Sequence, residues 1–360
     1  MPLDEPAWWY GAGLSATARL LKPASSVYAR VVQWRFRHVQ PYRSALPVIC
    51  VGNFTAGGTG KTPLALLLAD ELKRLGEQPA FLTRGYGGHH ARPRWVDRSL
   101  DTAAEVGDEA LLLSRAAATL IARNRAAGAR AIEAAVDART VIVMDDGLQN
   151  PTLAKDLSIA VVDSRRGVGN GEVLPAGPLR APLAFQLRLV DAVIVNTATH
   201  GPEQREPSAA AWLKRMFPGP VLEATPCPEG DTTWIKDARL VAYAGIANPT
   251  RFFAMLERLG GRLTETLVFP DHHGYTEADA ERLLGMGVRR QAQLVTTEKD
   301  WVRLLGHAGR RGKLRENSRT LRIRLTLDER DAGRLMTLIQ TALRSEQAPS
   351  HPRLRQPGQG

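Results

Sequence analysis

Residues 46–62 read LPVICVGNFTAGGTGKT, and this stretch is the most informative about the fold of the chain. Its first six residues form a short apolar run before Gly52, which is typical of a buried parallel strand. A glycine-rich loop follows, and a helix is expected from Lys61 to about Leu75, closed by Gly76. A strand, a glycine-rich loop and a helix in this order predict a loop that binds nucleotide phosphates, because its backbone N–H groups and the helix N-terminus favour a bound anion.

The loop also carries side chains suited to phosphate chemistry. Lys61 is expected to reach the β- and γ-phosphates of ATP, and the Thr62 hydroxyl to hold Mg²⁺. The strict pattern of such loops has Gly where this chain has Thr55, so the loop departs from it by one residue. A chance glycine-rich turn before a helix is the alternative. The predicted nucleotide-binding residues are Thr55, Ala56, Gly57, Gly58, Thr59, Gly60, Lys61 and Thr62.

A second apolar run, residues 141–144, ends in the adjacent carboxylates Asp145 and Asp146. One acidic residue at the end of a neighbouring strand is enough to orient Mg²⁺, directly or through water. Adjacent side chains on an extended backbone point to opposite sides, so we expect different roles for the two, which the sequence does not assign. Both are candidate metal ligands together with Thr62. The alternative is an ordinary turn at Asp146-Gly147.

Short apolar runs alternate with helical stretches along most of the chain. Strands are expected at 46–51, 79–83, 140–144, 157–162, 192–196, 240–244, 267–269 and 293–297, and helices at 61–75, 110–135 and 249–259. This alternation predicts an α/β fold of the P-loop NTPase type, with a mostly parallel sheet and helices on both faces. We expect a P-loop domain at 45–220, a smaller C-terminal α/β domain at 221–345 and a disordered tail at 346–360, with the boundary marked by Gly and Pro near 200–220.

Residues 1–44 are expected to form two short amphipathic helices broken at Pro23. Apolar residues recur there at helical spacing, first as Leu14, Ala18 and Leu21 and then as Val27, Val31 and Trp34. Arginines and a lysine are interspersed, and an aromatic triplet at 8–10 precedes them. Aromatic anchors beside a basic amphipathic helix predict a helix that lies in a membrane surface. The alternative is a helix packed on the domain core with a basic edge in water.

Composition limits the classes of function. The 360 residues include 48 Lys+Arg against 37 Asp+Glu, a net charge of +11, and the excess lies at the two ends of the chain. With 44% hydrophobic and 24% charged residues, a wholly disordered or fibrous chain is excluded. The basic ends favour an anionic partner surface, although an Arg-rich genome would also produce them. An aromatic content of only 6% and the lack of a basic-aromatic segment argue against nucleic-acid binding.

The two cysteines, Cys50 and Cys227, lie far apart in the sequence and fit no metal-ligand spacing. This usage is typical of a reducing compartment and predicts neither a disulfide framework nor a cysteine metal site. No apolar run reaches the length of about 18 residues that a spanning helix needs. The N-terminus carries Asp4 and Glu5 where a signal peptide has basic residues.

Taken in order, the motifs of this chain resemble those of the tetraacyldisaccharide 4′-kinases of lipid A biosynthesis. The resemblance rests on VGNF at 51–54, GGTGKTP at 57–63, TRGYG at 83–87, VGDE at 106–109, DDGLQ at 145–149, LPAGPLR at 174–180, FPDHH at 269–273 and TTEKD at 296–300. A phosphate loop alone occurs in many unrelated enzymes. The ordered set, which spans most of the chain, is far more specific.

The resemblance implies a Mg²⁺-dependent transfer of the ATP γ-phosphate to the 4′-hydroxyl of a tetraacylated glucosamine disaccharide 1-phosphate. It also implies a P-loop domain, a smaller C-terminal domain and a membrane-associated N-terminal helix. The family works at the cytoplasmic face of the inner membrane of Gram-negative bacteria, so a peripheral or monotopic location there is expected.

The same resemblance implies site residues. Asp108 would act as or near the general base, coupled to His272, and Lys61 would neutralise charge on the transferred group. Because Asp108 and His272 come from different halves of the chain, the site is expected between the domains. Candidate substrate contacts within the matching motifs are Arg84, Tyr86, Gln149 and Arg180. Two positions depart from the family pattern, Ala181 and Asn150, and no role is carried over to either.

Two other classes of function remain open at this point. One is a P-loop kinase or ligase acting on a soluble small metabolite, which would have no use for a Trp-rich basic helix. The other is an ATP-regulated membrane or nucleic-acid adaptor, which would survive the loss of Asp108.

Overall fold

The computed structural model describes residues 5–11, 13–89, 92–197 and 208–344. The punctuation at 200–202 and the predicted tail at 346–360 lie outside these residues. Within them, twelve strands form one sheet. The strands are β1 (Val48–Asn53), β2 (Gln78–Thr83), β3 (Arg94–Trp95), β4 (Ala118–Ile121), β5 (Thr140–Asp145), β6 (Leu157–Asp163), β7 (Ala192–Asn196), β8 (Val221–Glu229), β9 (Arg239–Ala244), β10 (Arg262–Val268), β11 (Gln293–Thr297) and β12 (Ser318–Leu327).

Helices connect most of these strands. They are α1 (Ala16–His38), α2 (Lys61–Arg74), α3 (Ala103–Val106), α4 (Asp108–Leu113), α5 (Arg125–Glu133), α6 (Leu183–Leu187), α7 (Ala209–Met216), α8 (Pro249–Arg258), α9 (Glu277–Arg290), α10 (Glu298–Arg303), α11 (Gly309–Asn317) and α12 (Glu329–Arg344). Short 3₁₀ turns lie at Ala7–Trp9 and Thr233–Ile235.

The strand order is β10-β9-β11-β12-β8-β7-β6-β1-β5-β2-β4-β3. The pairs are parallel except for β12 with β8 and β3 with β4. The prediction of a mostly parallel α/β sheet is therefore confirmed. The antiparallel pair β8–β12 joins the strands of the first half to those of the second, so one continuous sheet runs through the chain.

Strand β1 lies in the middle of the first half, between β5 and β6. All six of its residues are buried, because helices cover both faces of a parallel sheet. Ile49 and Val51 pack with Leu64 and Leu68 of α2, while Cys50 belongs to the cluster on the opposite face. This burial fixes where β1 ends, and the phosphate loop therefore begins at the carboxyl edge of the sheet.

Two expectations about helices were wrong. The Ala-rich stretch 110–135 is not one helical region, because β4 lies within it and pairs with β2 in the sheet. Pairing and burial of Leu120 and Ile121 outweigh the local helix propensity of the alanines. Residues 16–38 form one helix instead of two, with Pro23 inside it. Docking of this helix on the body of the protein, through the buried Ala18 and Ser25, keeps it continuous across the proline.

Candidate active site

The phosphate loop joins the end of β1 to the first residue of α2. Gly57 and Gly60 have φ values of +90° and +102°, a region that glycine enters without strain. A Cβ at Gly57 would also lie 1.5 Å from Oε1 of Glu5. Thr55 pairs with Leu179 in an isolated antiparallel bridge. The departure from the strict loop pattern therefore falls where the backbone is extended and needs no glycine.

Amide side chains brace the loop from both sides. Asn53 Nδ2 donates to the Gly57 carbonyl at 3.2 Å, and Asn196 Nδ2 donates to the Thr59 carbonyl at 3.0 Å. Lys61 Nζ donates to Asn53 Oδ1 at 3.4 Å. Groups outside the loop thus hold its shape, which reduces the ordering cost of binding a phosphate chain.

Asp146 lies beside the loop and faces two cations. Its Oδ1 is 2.7 Å from Arg180 Nη1 and 3.7 Å from Lys61 Nζ. Its backbone is left-handed, with φ +49°, so the expectation that both carboxylates lie on an extended backbone was wrong. Burial raises the pKa of Asp146, but the charges of Lys61 and Arg180 outweigh burial and hold this pKa well below its usual value.

Asp145 is in the opposite electrostatic situation. It is fully buried at the end of β5, and Thr83 Oγ1 donates to its Oδ2 at 3.5 Å. Its Oδ1 has no hydrogen-bond partner among the described residues. Burial, and then the charges of Glu109 and Asp146, raise the pKa of Asp145 to about 7. A cation bound at this point would relieve the repulsion, so the donor set fits one.

Within the described residues, no three His, Cys, Asp or Glu side chains form a group that could hold a metal ion. A Mg²⁺ ion here would therefore take ligands from one carboxylate, the Thr62 hydroxyl, water and the nucleotide phosphates. Mg²⁺ is commonly bound in this way, through one or two carboxylates plus substrate phosphates.

The predicted pair of Asp108 and His272 comes together. His272 Nδ1 lies 3.0 Å from Asp108 Oδ2, and Asp108 begins α4 with only 4% of its surface exposed. His272 has a φ of +58°, a conformation that costs energy in a non-glycine residue and clusters at functional sites. The hydrogen bond to Asp108 outweighs burial and raises the pKa of His272.

The candidate substrate contacts differ in their solvent exposure and in the hydrogen bonds that they already make. Tyr86 is exposed, and its ring centroid lies 5.3 Å from that of His272. Arg84 is also exposed. Gln149 Nε2 donates to the Asn53 carbonyl at 2.8 Å and to Gln186 Oε1 at 2.6 Å. Arg180 pairs with Asp146 and donates from Nε to the Thr55 carbonyl at 3.0 Å. The structure thus places Tyr86 beside the dyad, and Gln149 and Arg180 against the phosphate loop.

The two departures from the family pattern have local roles. Ala181 is fully buried, and its carbonyl accepts a hydrogen bond from Gln186 Nε2 at 2.7 Å. Asn150 Oδ1 accepts from the Thr152 amide at 2.9 Å and shapes a turn.

Some residues at the site were missed by the sequence analysis. Asn196 ends β7 at the same edge of the sheet as the phosphate loop. Its position as a polar residue at the end of an apolar strand could have identified it from the sequence. Arg303 donates from Nε to Asp108 Oδ2 at 2.7 Å. Arg303 lies three residues after Asp300 of the TTEKD motif. This spacing is close to one helical turn, and it was the only local feature that could have indicated Arg303.

Three comparisons bear on the identity of the chain. The sequence model of the tetraacyldisaccharide-1-P 4′-kinase family matches residues 17–344. A tetraacyldisaccharide 4′-kinase of Methylobacterium nodulans is 50% identical over 301 residues, covering 83% of this chain and 87% of that protein. One of Agrobacterium fabrum is 40% identical over 339 residues, covering 94% of each. The crystal structure of LpxK from Aquifex aeolicus in complex with ATP superposes with a TM-score of 0.72 at 24% identity, covering 91% of this chain and 99% of that one.

Proposed function

The chain belongs to the tetraacyldisaccharide-1-P 4′-kinase family, and on that premise we propose the reaction of its site. The enzyme transfers the γ-phosphate of ATP to the 4′-hydroxyl of a tetraacylated glucosamine disaccharide 1-phosphate. The products are ADP and the 4′-phosphorylated lipid A precursor, lipid IVA.

One observation carries the assignment of the site: a three-residue segment links the phosphate loop to the dyad. At its start, the Gly245 carbonyl accepts a hydrogen bond from the His272 amide at 3.2 Å. At its end, Ala247 lies so close to Gly58 that a Cβ added there would be 3.2 Å from the Ala247 Cβ. A proton-accepting pair and a phosphate-binding loop on one short segment suit phosphoryl transfer to a hydroxyl.

In the proposed mechanism, the acceptor oxygen forms a bond to the γ-phosphorus while the bond from that phosphorus to the β–γ bridging oxygen breaks. The hydroxyl proton passes to the pair of Asp108 and His272. Lys61 neutralises the charge that develops on the transferred group. Arg180, fixed by Asp146, adds a second cation at the loop. Tyr86, beside His272, is placed to contact the sugar.

Mg²⁺ would be held by Thr62 and one of Asp145 and Asp146. The unpartnered, buried oxygen of Asp145 supports its candidacy. When bound, the ion would offset the negative charge of the triphosphate. Asp146 already has two cationic partners, so we assign it to orienting Lys61 and Arg180.

The lipid acceptor fits the outer face of α1. Ala18 is fully buried, whereas Val27, nine residues further on, is 59% exposed, because nine residues are two and a half helical turns. Leu20, Val31 and Trp34 are exposed on the same outer face as Val27. Of the two apolar triplets in the sequence, the first therefore faces the protein and the second faces outward.

This outer face supports a helix lying in the membrane surface. Arg19, Arg30, Arg35 and Arg37 flank it and would contact anionic headgroups. Lys22 lies on the side of the protein body, where it pairs with Glu172 at 2.9 Å. None of the helices in the described part of the chain combines the length and hydropathy that a membrane crossing requires. We place the enzyme at the cytoplasmic face of the bacterial inner membrane, with a P-loop domain at 45–220 and a C-terminal domain at 221–345.

The test is transfer of ³²P from [γ-³²P]ATP to tetraacyldisaccharide 1-phosphate in detergent micelles, with Mg²⁺ present and then chelated. We expect a lipid product labelled at the 4′ position, and no product after chelation. A matched reaction uses the deacylated disaccharide 1-phosphate. No labelled lipid would overturn the proposal, and equal rates on the deacylated sugar would favour a soluble acceptor.

A further inference from the structure

Helices α4 and α10 face each other across the contact between the two halves of the chain. Ion pairs cross this contact at three points. Lys299 Nζ lies 2.7 Å from Glu109 Oε1, and Arg115 Nη1, just beyond the end of α4, lies 2.5 Å from Glu298 Oε1. The third pair is between Arg303 and Asp108. Of the three pairs, only this last one contacts the dyad directly.

The Arg303 guanidinium is almost completely buried and has partners on both sides of the contact. Its Nε donates to Asp108 Oδ2 at 2.7 Å. Its Nη1 donates to the Gly245 carbonyl at 2.6 Å and to Asp300 Oδ1 at 2.8 Å. Asp300 is itself fixed by the Gly245 amide at 3.0 Å and by the Tyr275 hydroxyl at 2.9 Å. The rigid fork of Arg303 therefore has a single orientation, set by the second half of the chain.

Both oxygens of Asp108 are engaged. Oδ2 accepts from Arg303 and is 3.0 Å from His272 Nδ1, while Oδ1 accepts from the Glu109 amide at 2.8 Å. Since Arg303 and His272 share one oxygen, the position of Arg303 determines where Oδ2 meets the imidazole. Gly245 accepts hydrogen bonds from both the Arg303 side chain and the His272 amide.

From this geometry we propose that Arg303 is a positioning residue for phosphoryl transfer, holding the Asp108 carboxylate in the orientation that bonds His272 Nδ1. It acts through Asp108 and touches neither ATP nor the acceptor. The dyad then forms only when α10 packs on α4. This inference deepens the proposed function and rests on it.

The charges around Asp108 explain why this arginine is needed. Glu109 lies on α4, the same helix as Asp108, and Lys299 and Arg303 lie on α10. His272 and Asp271 lie on the loop after β10. Lys299 is paired with Glu109. Burial raises the pKa of Asp108, but the His272 hydrogen bond and the Arg303 charge outweigh burial and lower it. Without Arg303, a buried carboxylate would lose its direct cationic partner, which is costly.

The experiment compares R303M, R303K and the control R115M, which removes an ion pair at the same helix contact. We expect R303M to lower kcat by about 100-fold, within the range of general-base contributions, with an unchanged KM for ATP. The acidic limb of its kcat/KM profile should move to higher pH. R303K should recover part of both effects, and R115M should show neither. Equal losses in R303M and R115M, or a loss confined to KM, would overturn the proposal.

A double-mutant cycle separates positioning from folding. In a D108N background, R303M should cost no further kcat, because its effect passes through Asp108. Additive losses would contradict the inference.

A measurement without substrate distinguishes this inference from the proposed function. In urea unfolding, the destabilisation by R303M should be small at acidic pH. It should grow as the pH rises from the pKa of Asp108 in the folded wild type, which lies well below its usual value, to its higher pKa in the folded variant. In a D108N background, the destabilisation by R303M should no longer depend on pH in this way. A penalty independent of pH would overturn the role of Arg303. If the wild type transferred no phosphate, the proposed reaction would be wrong, but the unfolding experiment would still test whether Arg303 acts on Asp108. R303K replaces R303M in this experiment if R303M does not fold.

Discussion

His272 Nδ1 lies 3.0 Å from Asp108 Oδ2 although 164 residues separate the two in the chain. Asp108 is the first residue of the short helix α4, in the first half of the chain. His272 has a left-handed backbone and follows β10, in the second half of the chain. The imidazole is thus oriented by a carboxylate that is itself buried and ion-paired. Such an arrangement fixes the ring tautomer and stabilises the protonated ring after it accepts a proton.

Replacing Asp108 by Asn should abolish most of the turnover. The change keeps the shape but removes the negative charge that orients His272, so we expect kcat to fall about 10²- to 10⁴-fold. ATP affinity, measured by calorimetry, should stay within twofold of the wild type. Asp279→Asn is the matched control, because it breaks a second His–Asp contact, that of His273 at 3.0 Å. Turnover of D108N within tenfold of the control would contradict the assignment.

The raised pKa of His272 predicts a pH dependence of stability. Because Asp108 favours its protonated form, the folded-state pKa lies above the unfolded value of about 6.5. The stabilisation is then fully present below the unfolded pKa and is lost as the pH rises through the folded one. The difference in unfolding free energy between the wild type and His272→Gln should therefore shrink from pH 6 to pH 8. A difference that is constant or grows would be inconsistent with this pairing.

Glu5 places a carboxylate against the phosphate loop. Its Oε2 pairs with Arg166 Nη1 at 2.6 Å, while the buried Oε1 approaches Gly57. This charge should repel the phosphates of ATP, so Glu5→Gln is expected to lower the Kd of ATP severalfold, measured by calorimetry. Glu172→Gln, which breaks a pair with Lys22 on α1, serves as the control and should leave the Kd unchanged. Weaker ATP binding in Glu5→Gln would show that Glu5 supports the loop instead.

The outer face of α1 should determine membrane binding. Val31 and Trp34 are 50% and 58% exposed, and removing this apolar surface from water is favourable by about 25 cal/mol per Å². The double change of Val31 and Trp34 to Glu should lower partitioning to vesicles containing anionic phosphatidylglycerol by more than tenfold. ATP binding should be unaffected.

The control for the α1 experiment is a double change of Ser26 and Gln40 to Glu, which adds the same charge without removing an apolar group. Equal loss of vesicle binding in both variants would attribute the binding to charge alone. Unchanged binding in the Val31 and Trp34 variant would remove this face from the proposal.

Local patterns predicted the elements that form from contiguous residues. The apolar run of β1, the glycines of the loop and the start of α2 at Lys61 all lie within residues 46–62, so sequence alone located them. Strands at 192–196 and 293–297 were found with their observed bounds. Burial on both faces of a parallel sheet leaves a short, almost continuously apolar run, and such a run can be read directly.

The same local reasoning failed where a distant part of the chain outweighed it. The strand within 110–135 was missed because its pairing with β2 outweighed the helix propensity of its alanines. Pro23 predicts a helix break from the local sequence, whereas the continuity of α1 depends on its docking against distant residues. The left-handed backbone of Asp146 likewise depends on packing at the edge of the sheet.

For the site, local sequence patterns located the phosphate loop and the two adjacent carboxylates, and resemblance to a family indicated Asp108 and His272. Three features depend on contacts between distant parts of the chain: Arg303 pairs with Asp108, Asp146 faces Lys61 and Arg180, and the second apolar triplet of α1 faces outward. The difference arises from the sequence separation of the residues that interact. Helix and strand patterns reflect interactions over a few residues, whereas an ion pair between α4 and α10 depends on the path of the whole sheet between them.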